Sequence, residues 1–341
     1  MLGIIFSHLG MNFSFAYFSV SGFFVISGFL LTLKYYETDA DNFTNPFRFA
    51  IDRIKSIYPV YILTILMLLP ISIYRIVHHS LGLKDYLSTL FVDVFLLQSW
   101  FPHIKLAESI NDVSWFLSTI FFLYLLFPFV LRLTKKINKD LVLIGFFVLS
   151  TAVSIVMLLF IRKMFILPDN LFHFWLIYRF PVFRINDFLA GCVAAVFYEK
   201  YLKTAKLNVY VGSLLEVLAL AIIPLATYIG RLCGQDQRTV FLSNPVTIFI
   251  LPATFTVIIF TLEKGILSRI MSLDFLVKCG GLSSDVFLIH YVFIYYIYFL
   301  RFDFFFGAFG KPNLLTRVAI IIGSYLTAAI IRAILSVLHK K

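Results

Sequence analysis

The sequence predicts an all-α protein, a polytopic bundle of about ten membrane-spanning helices whose first member is truncated. Two observations carry this. Hydrophobic residues make up 61% of the 341 residues and charged residues only 14%. The mean hydropathy is +0.94, far from the balance of a soluble domain. The apolar residues also gather into runs of about 20, the length a helix needs to cross hydrocarbon. No polar stretch is long enough to fold apart, so residues 1–341 read as one membrane domain with no separate soluble domain.

The elements follow in order. Met1–Gly10 is too short to cross and reads as the outer half of a first helix. Full spans are expected at Phe13–Leu33, Ile54–Tyr74, Trp115–Leu133, Leu141–Ile161, Val182–Tyr198, Val209–Ile229, Pro245–Leu262, Asp285–Leu300 and Leu314–Leu338. Asp85–Trp100 is short, carries Asp85 and Asp93, and is ambiguous. Phe302–Phe309 is aromatic-rich and suits the membrane interface.

Loop charge decides the ambiguous segment. If Asp85–Trp100 stays out of the bilayer and the N-terminus is cytoplasmic, the basic loops fall inside, as the positive-inside rule prefers. These are the loops with Lys34/Arg48/Arg53, Arg132/Lys135/Lys136/Lys139, Lys200/Lys203/Lys206, Lys264/Arg269 and Lys340/Lys341. Arg75, Arg162, Lys163 and Arg231 remain outside. The expectation is a multi-pass membrane protein with both termini cytoplasmic. The net charge of +11 is then explained by basic loops facing anionic lipid. Membrane lipid is the expected partner, and nucleic acid is not.

Several chemistries are disfavoured. Cys192, Cys233 and Cys279 form no CxxC or metal-ligand spacing, so neither a disulfide framework nor a metal site is expected. P-loop, GxGxxG, GxSxG and HExxH patterns are absent. There is no fixed-period repeat, no inverted repeat of the transporter kind and no signal-peptide pattern.

Five polar segments need explaining, because an ionisable side chain at membrane depth is costly. His8 lies within the first apolar run. It is either a histidine bonded to a neighbouring helix or a general base, a task that imidazole suits. Arg53, with Lys55 nearby, starts a helix at the cytoplasmic side. It is an interfacial anchor or a phosphate contact. Trp115 and Ser118 follow Asn111-Asp112. They form an anchored helix start capped by Asp112 or Ser114, or they line an acceptor pocket. Arg184 and Asp187 are three apart and share a helix face, so they can pair, or Arg184 can point into a polar cavity. Ser283 and Asp285 sit at a helix start, with His290 further in, where it bonds across helices or caps a cavity.

Taken together, these segments resemble acyltransferase family 3 of bacterial membrane proteins. The matching features are His8 late in a first helix, Phe23–Phe29 as an FFxxSGF-like stretch, and Arg53–Pro59 as an Arg-x-x-x-x-Tyr-Pro segment. Further along come Trp115–Ser118 running to Phe127-Pro128, Phe183–Gly191 as Phe-Arg-x-x-acid-Phe-x-x-Gly, and Ser283–His290 as Ser-x-x-x-x-Leu-Ile-His. Each motif alone is weak; the ordered set spans nearly the whole chain. Three positions depart from the pattern. The basic residue the family usually places eleven before the first-helix histidine falls outside this sequence. Ile120 stands where many members have Glu, and Ser284 where many have Tyr.

The resemblance implies a protein of the bacterial cytoplasmic membrane with about ten helices, and transfer of an acyl group, most often acetyl, from cytoplasmic acyl-CoA to a hydroxyl. The implied acceptor is a cell-surface polysaccharide or a lipid-linked glycan. On this reading His8 is the general base or helps form a transient acyl-enzyme, and Arg184 or Ser118 steadies the developing oxyanion. Arg53 and Lys55 hold CoA phosphates, and Trp115, Asp187, Ser283 and His290 line the pocket. No metal is expected. A transporter or flippase of a lipid-linked glycan is the alternative, and a non-catalytic membrane partner is a third.

Overall fold

In the computed structural model, residues 1–9, 13–38, 45–102, 110–137, 140–164, 175–234, 248–301, 305–306 and 312–338 are described. Lys139, Lys340, Lys341, the first three residues of the Pro245–Leu262 span and most of Phe302–Phe309 lie outside them. Among the described residues every extended element is helical; the only β pairing is a single bridge between Phe306 and Pro312.

The helices are α1 (Leu2–His8), α2 (Phe13–Lys34), α3 (Pro46–Ile54), α4 (Tyr58–Val77), α5 (Leu83–Val94), α6 (Trp115–Lys136) and α7 (Asp140–Met164). There follow α8 (Ile185–Phe197), α9 (Val209–Gly234), α10 (Ile250–Thr261), α11 (Ile266–Met271), α12 (Asp274–Gly281), α13 (Ser283–Leu300) and α14 (Leu314–Leu338). Among the described residues, eight stretches are long and apolar enough to cross a membrane: Ala16–Lys34, Tyr58–Val77, Asp112–Lys136, Asp140–Met157, Pro181–Leu202, Val209–Ile229, Ser283–Leu300 and Leu314–Leu338. The protein is therefore an all-α, multi-pass membrane protein. The described part of the expected Pro245 span is the shorter apolar helix α10. The ambiguous segment resolves into α5, 12 residues long, too short to cross at 1.5 Å per residue.

The chain divides into two compact units. One contains Met1–Ala16, Asp52–Ser118 and Asp274–Lys341; the other contains Tyr17–Ile51 and Thr119–Leu273. In the first unit α13 packs on α4 and α14. Its core joins Ile5 and Leu9 of the first segment to Val60, Val286, Ile289 and Ile320. A neighbouring cluster joins Leu68 and Ile71 to Val292. Two charged or polar ties hold α13 in place. Arg332 on α14 donates through Nη2 to Asp285 Oδ1 at 2.7 Å and through Nε to Oδ2. Arg75 donates to the Tyr295 hydroxyl at 2.7 Å. Asp285, expected only to suit the helix dipole, therefore also anchors a neighbouring helix.

In the second unit α8 is innermost, with 72% of its spanning window buried, whereas the α7 window is 6% buried and presents its apolar residues outward. Bare glycine backbones let α2 and α8 approach closely. A Cβ on Gly28 would lie 2.1 Å from the Phe188 carbonyl oxygen, and one on Gly191 would lie 2.0 Å from that of Val25. Small residues permit such contact in membrane bundles, where packing replaces the hydrophobic drive between helices. The glycines of Ser27-Gly28-Phe29 and Phe188-Leu189-Ala190-Gly191 thus set a helix crossing.

Candidate active site: a histidine pair in the first unit

Residue His8 closes α1, and His290 lies two turns into α13, fully buried. The packing of Ile5 and Leu9 against Val286 and Ile289 brings the two helices together. Nδ1 of His8 and Nε2 of His290 are 2.9 Å apart. The two rings are nearly parallel, with an interplanar angle of 6° and centroids 5.2 Å apart. Tyr291 meets the His8 ring edge-on at 6.0 Å. The other ring nitrogen of His290, Nδ1, lies 3.2 Å from the Val286 carbonyl oxygen. Two imidazoles, 282 residues apart in sequence, form one unit inside an apolar core.

A buried polar network adjoins this pair through the backbone of α13. Asn111 donates to the Leu288 carbonyl at 2.9 Å and to the Thr64 hydroxyl at 3.0 Å. Gln98 donates to Ser114 at its carbonyl (3.0 Å) and hydroxyl (3.2 Å). The Tyr61 hydroxyl donates to the Asp93 carbonyl at 3.1 Å. The Asp93 carboxylate accepts from the Ile110 amide at 2.8 Å. Burial pushes the Asp93 carboxyl up to about 8, so it holds its proton near neutrality. These bonds tie Asp93 and Asn111 to α4, and Asn111 also to α13.

The expected pocket residues take several places. Ser118 is fully buried. Its hydroxyl donates to the Leu96 carbonyl at 2.6 Å and lies 3.4 Å from the Ser99 amide. Trp115 is buried, and its carbonyl accepts from the Ser99 hydroxyl at 2.6 Å. Trp115 and Ser118 thus clasp the chain near Leu96–Ser99. Ser114 belongs to a single 3-10 turn, Asp112–Ser114, that leads into α6. Ser283 begins α13 half-buried, seven residues or about 10 Å of helix from His290. Lys55 is 67% exposed and pairs with Asp52 at 2.8 Å. Arg53 ends α3 in a half-buried position.

Arg184 and Asp187 belong to the second unit, and the ion pair their spacing allowed is present. Arg184 Nη1 donates to Asp187 Oδ2 at 3.1 Å, with both side chains fully buried. Arg184 Nε donates to the Tyr178 carbonyl at 2.9 Å, and Nη1 lies 3.4 Å from the Ser21 hydroxyl. Its guanidinium carbon stands 4.7 Å from the Tyr178 ring and 5.5 Å from that of Phe24. Pairing, hydrogen bonds and ring faces together offset the cost of burying this cation.

Sequence reasoning used Asp93 only to question a span and passed over Gln98, Tyr61, Arg332 and Glu216. Three of them carried a usable signal: each is an ionisable residue within or beside an apolar run.

Comparison with known proteins adds the family. Acyltransferase MdmB of Streptomyces mycarofaciens is 34% identical over 119 residues, which is 35% of this chain and 29% of that protein. The chain therefore spans under a third of that relative's length. No solved structure matches the chain. The sequence profile of acyltransferase family 3, described as an acyltransferase domain, matches residues 1–333. This chain belongs to acyltransferase family 3.

Proposed function

We propose that the enzyme transfers an acyl group, acetyl in the first instance, from cytoplasmic acyl-CoA to a hydroxyl of a cell-surface polysaccharide or lipid-linked glycan. The observation that supports this most is the imidazole pair at 2.9 Å in an apolar core. O-acylation needs a base for the acceptor hydroxyl, and a buried imidazole supplies one near neutral pH. His8, the less buried of the two, is assigned that role. Arg53 and Lys55 are assigned to the CoA phosphates. Lys55 is suited to this, because its exposed pair with Asp52 is a weak competitor for a phosphate.

The remaining residues are given supporting roles. Ser118 and Trp115 hold the chain at Leu96 and Ser99. Arg184 and Asp187 brace the start of α8 in their own unit, since the Arg184 donors named above are engaged by Tyr178, Ser21 and Asp187.

The test is acyl transfer in proteoliposomes with labelled acetyl-CoA and a polysaccharide acceptor, reading ester formation and CoA thiol release together. The wild type releases one CoA per ester formed. His8→Ala loses at least about 100-fold in kcat, the scale of general-base catalysis. Full activity in His8→Ala would end the base assignment. Glycan movement without CoA release would instead identify a transporter.

A further inference from the structure

The hydrogen bonds of His290 have a direction, and that direction selects one nitrogen of His8. Nδ1 of His290 faces the Val286 carbonyl oxygen at 3.2 Å. A carbonyl oxygen accepts and cannot donate, so this nitrogen carries the hydrogen. A neutral imidazole holds one N–H, which leaves Nε2 of His290 with a lone pair. Nε2 faces Nδ1 of His8 at 2.9 Å. Two lone pairs at that distance repel, so Nδ1 of His8 carries the hydrogen and donates. His8 Nε2 is then the nitrogen left with the lone pair.

The alternatives cost more. The reverse chain would point a lone pair of His290 at the Val286 carbonyl inside a core where the residue is fully buried. A doubly protonated His290 would satisfy Val286 but would place a charge beside Val286, Ile289 and Ile5, an expensive arrangement in an apolar interior. The nearest acid along α13, Asp285, is held by Arg332.

We infer that His290 is a positioning residue: through the Val286–His290–His8 hydrogen-bond chain it fixes His8 as the Nδ1–H tautomer and makes Nε2 the nitrogen that takes the acceptor's proton. This rests on the reading of His8 as the base. In the step itself, the acceptor O–H bond breaks and its proton goes to His8 Nε2. The freed oxygen forms a C–O bond to the thioester carbonyl carbon. The C–S bond breaks, and the CoA sulfur takes the proton back from Nε2 and leaves as thiol. Throughout, His8 Nδ1–H stays donated to His290 Nε2, and the parallel rings keep Nε2 aimed in one direction. A third group that orients a base and fixes its tautomer is a familiar need in acyl transfer. Here an imidazole fills it.

The experiment has two arms on the full chain in detergent or bilayers. The first is 15N NMR of histidine-labelled protein with His8 signals assigned by their loss in His8→Ala. At a pH where the ring is neutral, His8 is expected to show a protonated Nδ1 and an unprotonated Nε2, the reverse of the tautomer favoured in water. A protonated Nε2 in the wild type overturns the inference whatever the activity. The second arm is kinetic. His290→Leu is expected to lower kcat at least about 100-fold, with KM for acetyl-CoA changed by less than about threefold. His290→Gln, whose amide oxygen can accept from His8 Nδ1–H, is expected to return kcat to within about tenfold of wild type. Equal losses in Leu and Gln variants that both keep the wild-type melting temperature overturn it. An active His8→Ala defeats the base assignment alone and leaves the tautomer measurement standing.

Discussion

Asp93 shows what one buried ionisable residue does to stability. Its carboxylate is fully buried on α5, outside the spanning helices, and Oδ1 has no hydrogen-bond partner among the described residues. Burial raises its pKa from 3.8 to about 8. The sign follows from proton linkage. Below about pH 4 the group is protonated in both folded and unfolded chains, and its contribution is fully present. Between about 4 and 8 only the folded chain keeps the proton, so stability erodes by up to about 1.4 kcal/mol per pH unit. Above about 8 the loss levels off. Asp93→Asn keeps an acceptor for the Ile110 amide and removes the ionisation. The difference in melting temperature, variant minus wild type, should grow from pH 5 to pH 8 and then flatten. A difference independent of pH would show that Asp93 does not titrate in this range.

At the scale of elements, the α2–α8 crossing makes a sharper demand than any side chain on it. Gly28→Ala places a methyl 2.1 Å from the Phe188 carbonyl oxygen, a backbone atom that cannot swing away. The helices must separate, an overpacking cost of about 1–3 kcal/mol or more. Thermal unfolding in detergent should show a clear drop for Gly28→Ala, whereas Gly22→Ala, with open space around its Cβ, should change little. Equal effects would refute the close crossing. This also marks what was legible in the sequence. Helix positions were, because apolar runs of spanning length declare themselves: Leu314–Leu338 has the same edges in sequence and structure. The Arg184–Asp187 pair was legible from its spacing of three. The partners of His8, Asp285 and Glu216 were not. They lie 282, 47 and about 50 residues away, and periodicity reports which face a residue occupies but not which helix it meets. Glu216 illustrates this. It sits in the apolar run of α9, yet its carboxylate accepts from the Gly265, Leu267 and Ser268 amides at 2.8–3.1 Å and so caps α11.

The arrangement of the whole molecule in the bilayer follows from charge and from the count of crossings. Taking α6, α7 and α8 as crossings and leaving α5 out puts the Lys203–Asn208 loop on one side of the membrane. It puts the His78–Gly82 loop on the opposite side. We propose that the first of these sides is cytoplasmic, because the former loop carries Lys203 and Lys206 beside Lys200, and basic loops are retained inside. The proposed reaction would draw its acyl-CoA from that side. Thr204 and Ser80 are exposed in the two loops and serve as reporters. A membrane-impermeant maleimide should label Ser80→Cys in intact spheroplasts, above the background of the native cysteines. It should label Thr204→Cys only after permeabilisation or in inverted vesicles. Inverted vesicles should then use added acetyl-CoA, and sealed right-side-out vesicles should not. Labelling of both positions from one side would mean that an odd number of crossings separating them is wrong, and α5 would be the first segment to re-examine. Donor use from the Ser80 side would reverse the orientation while leaving the histidine pair and its chemistry unchanged.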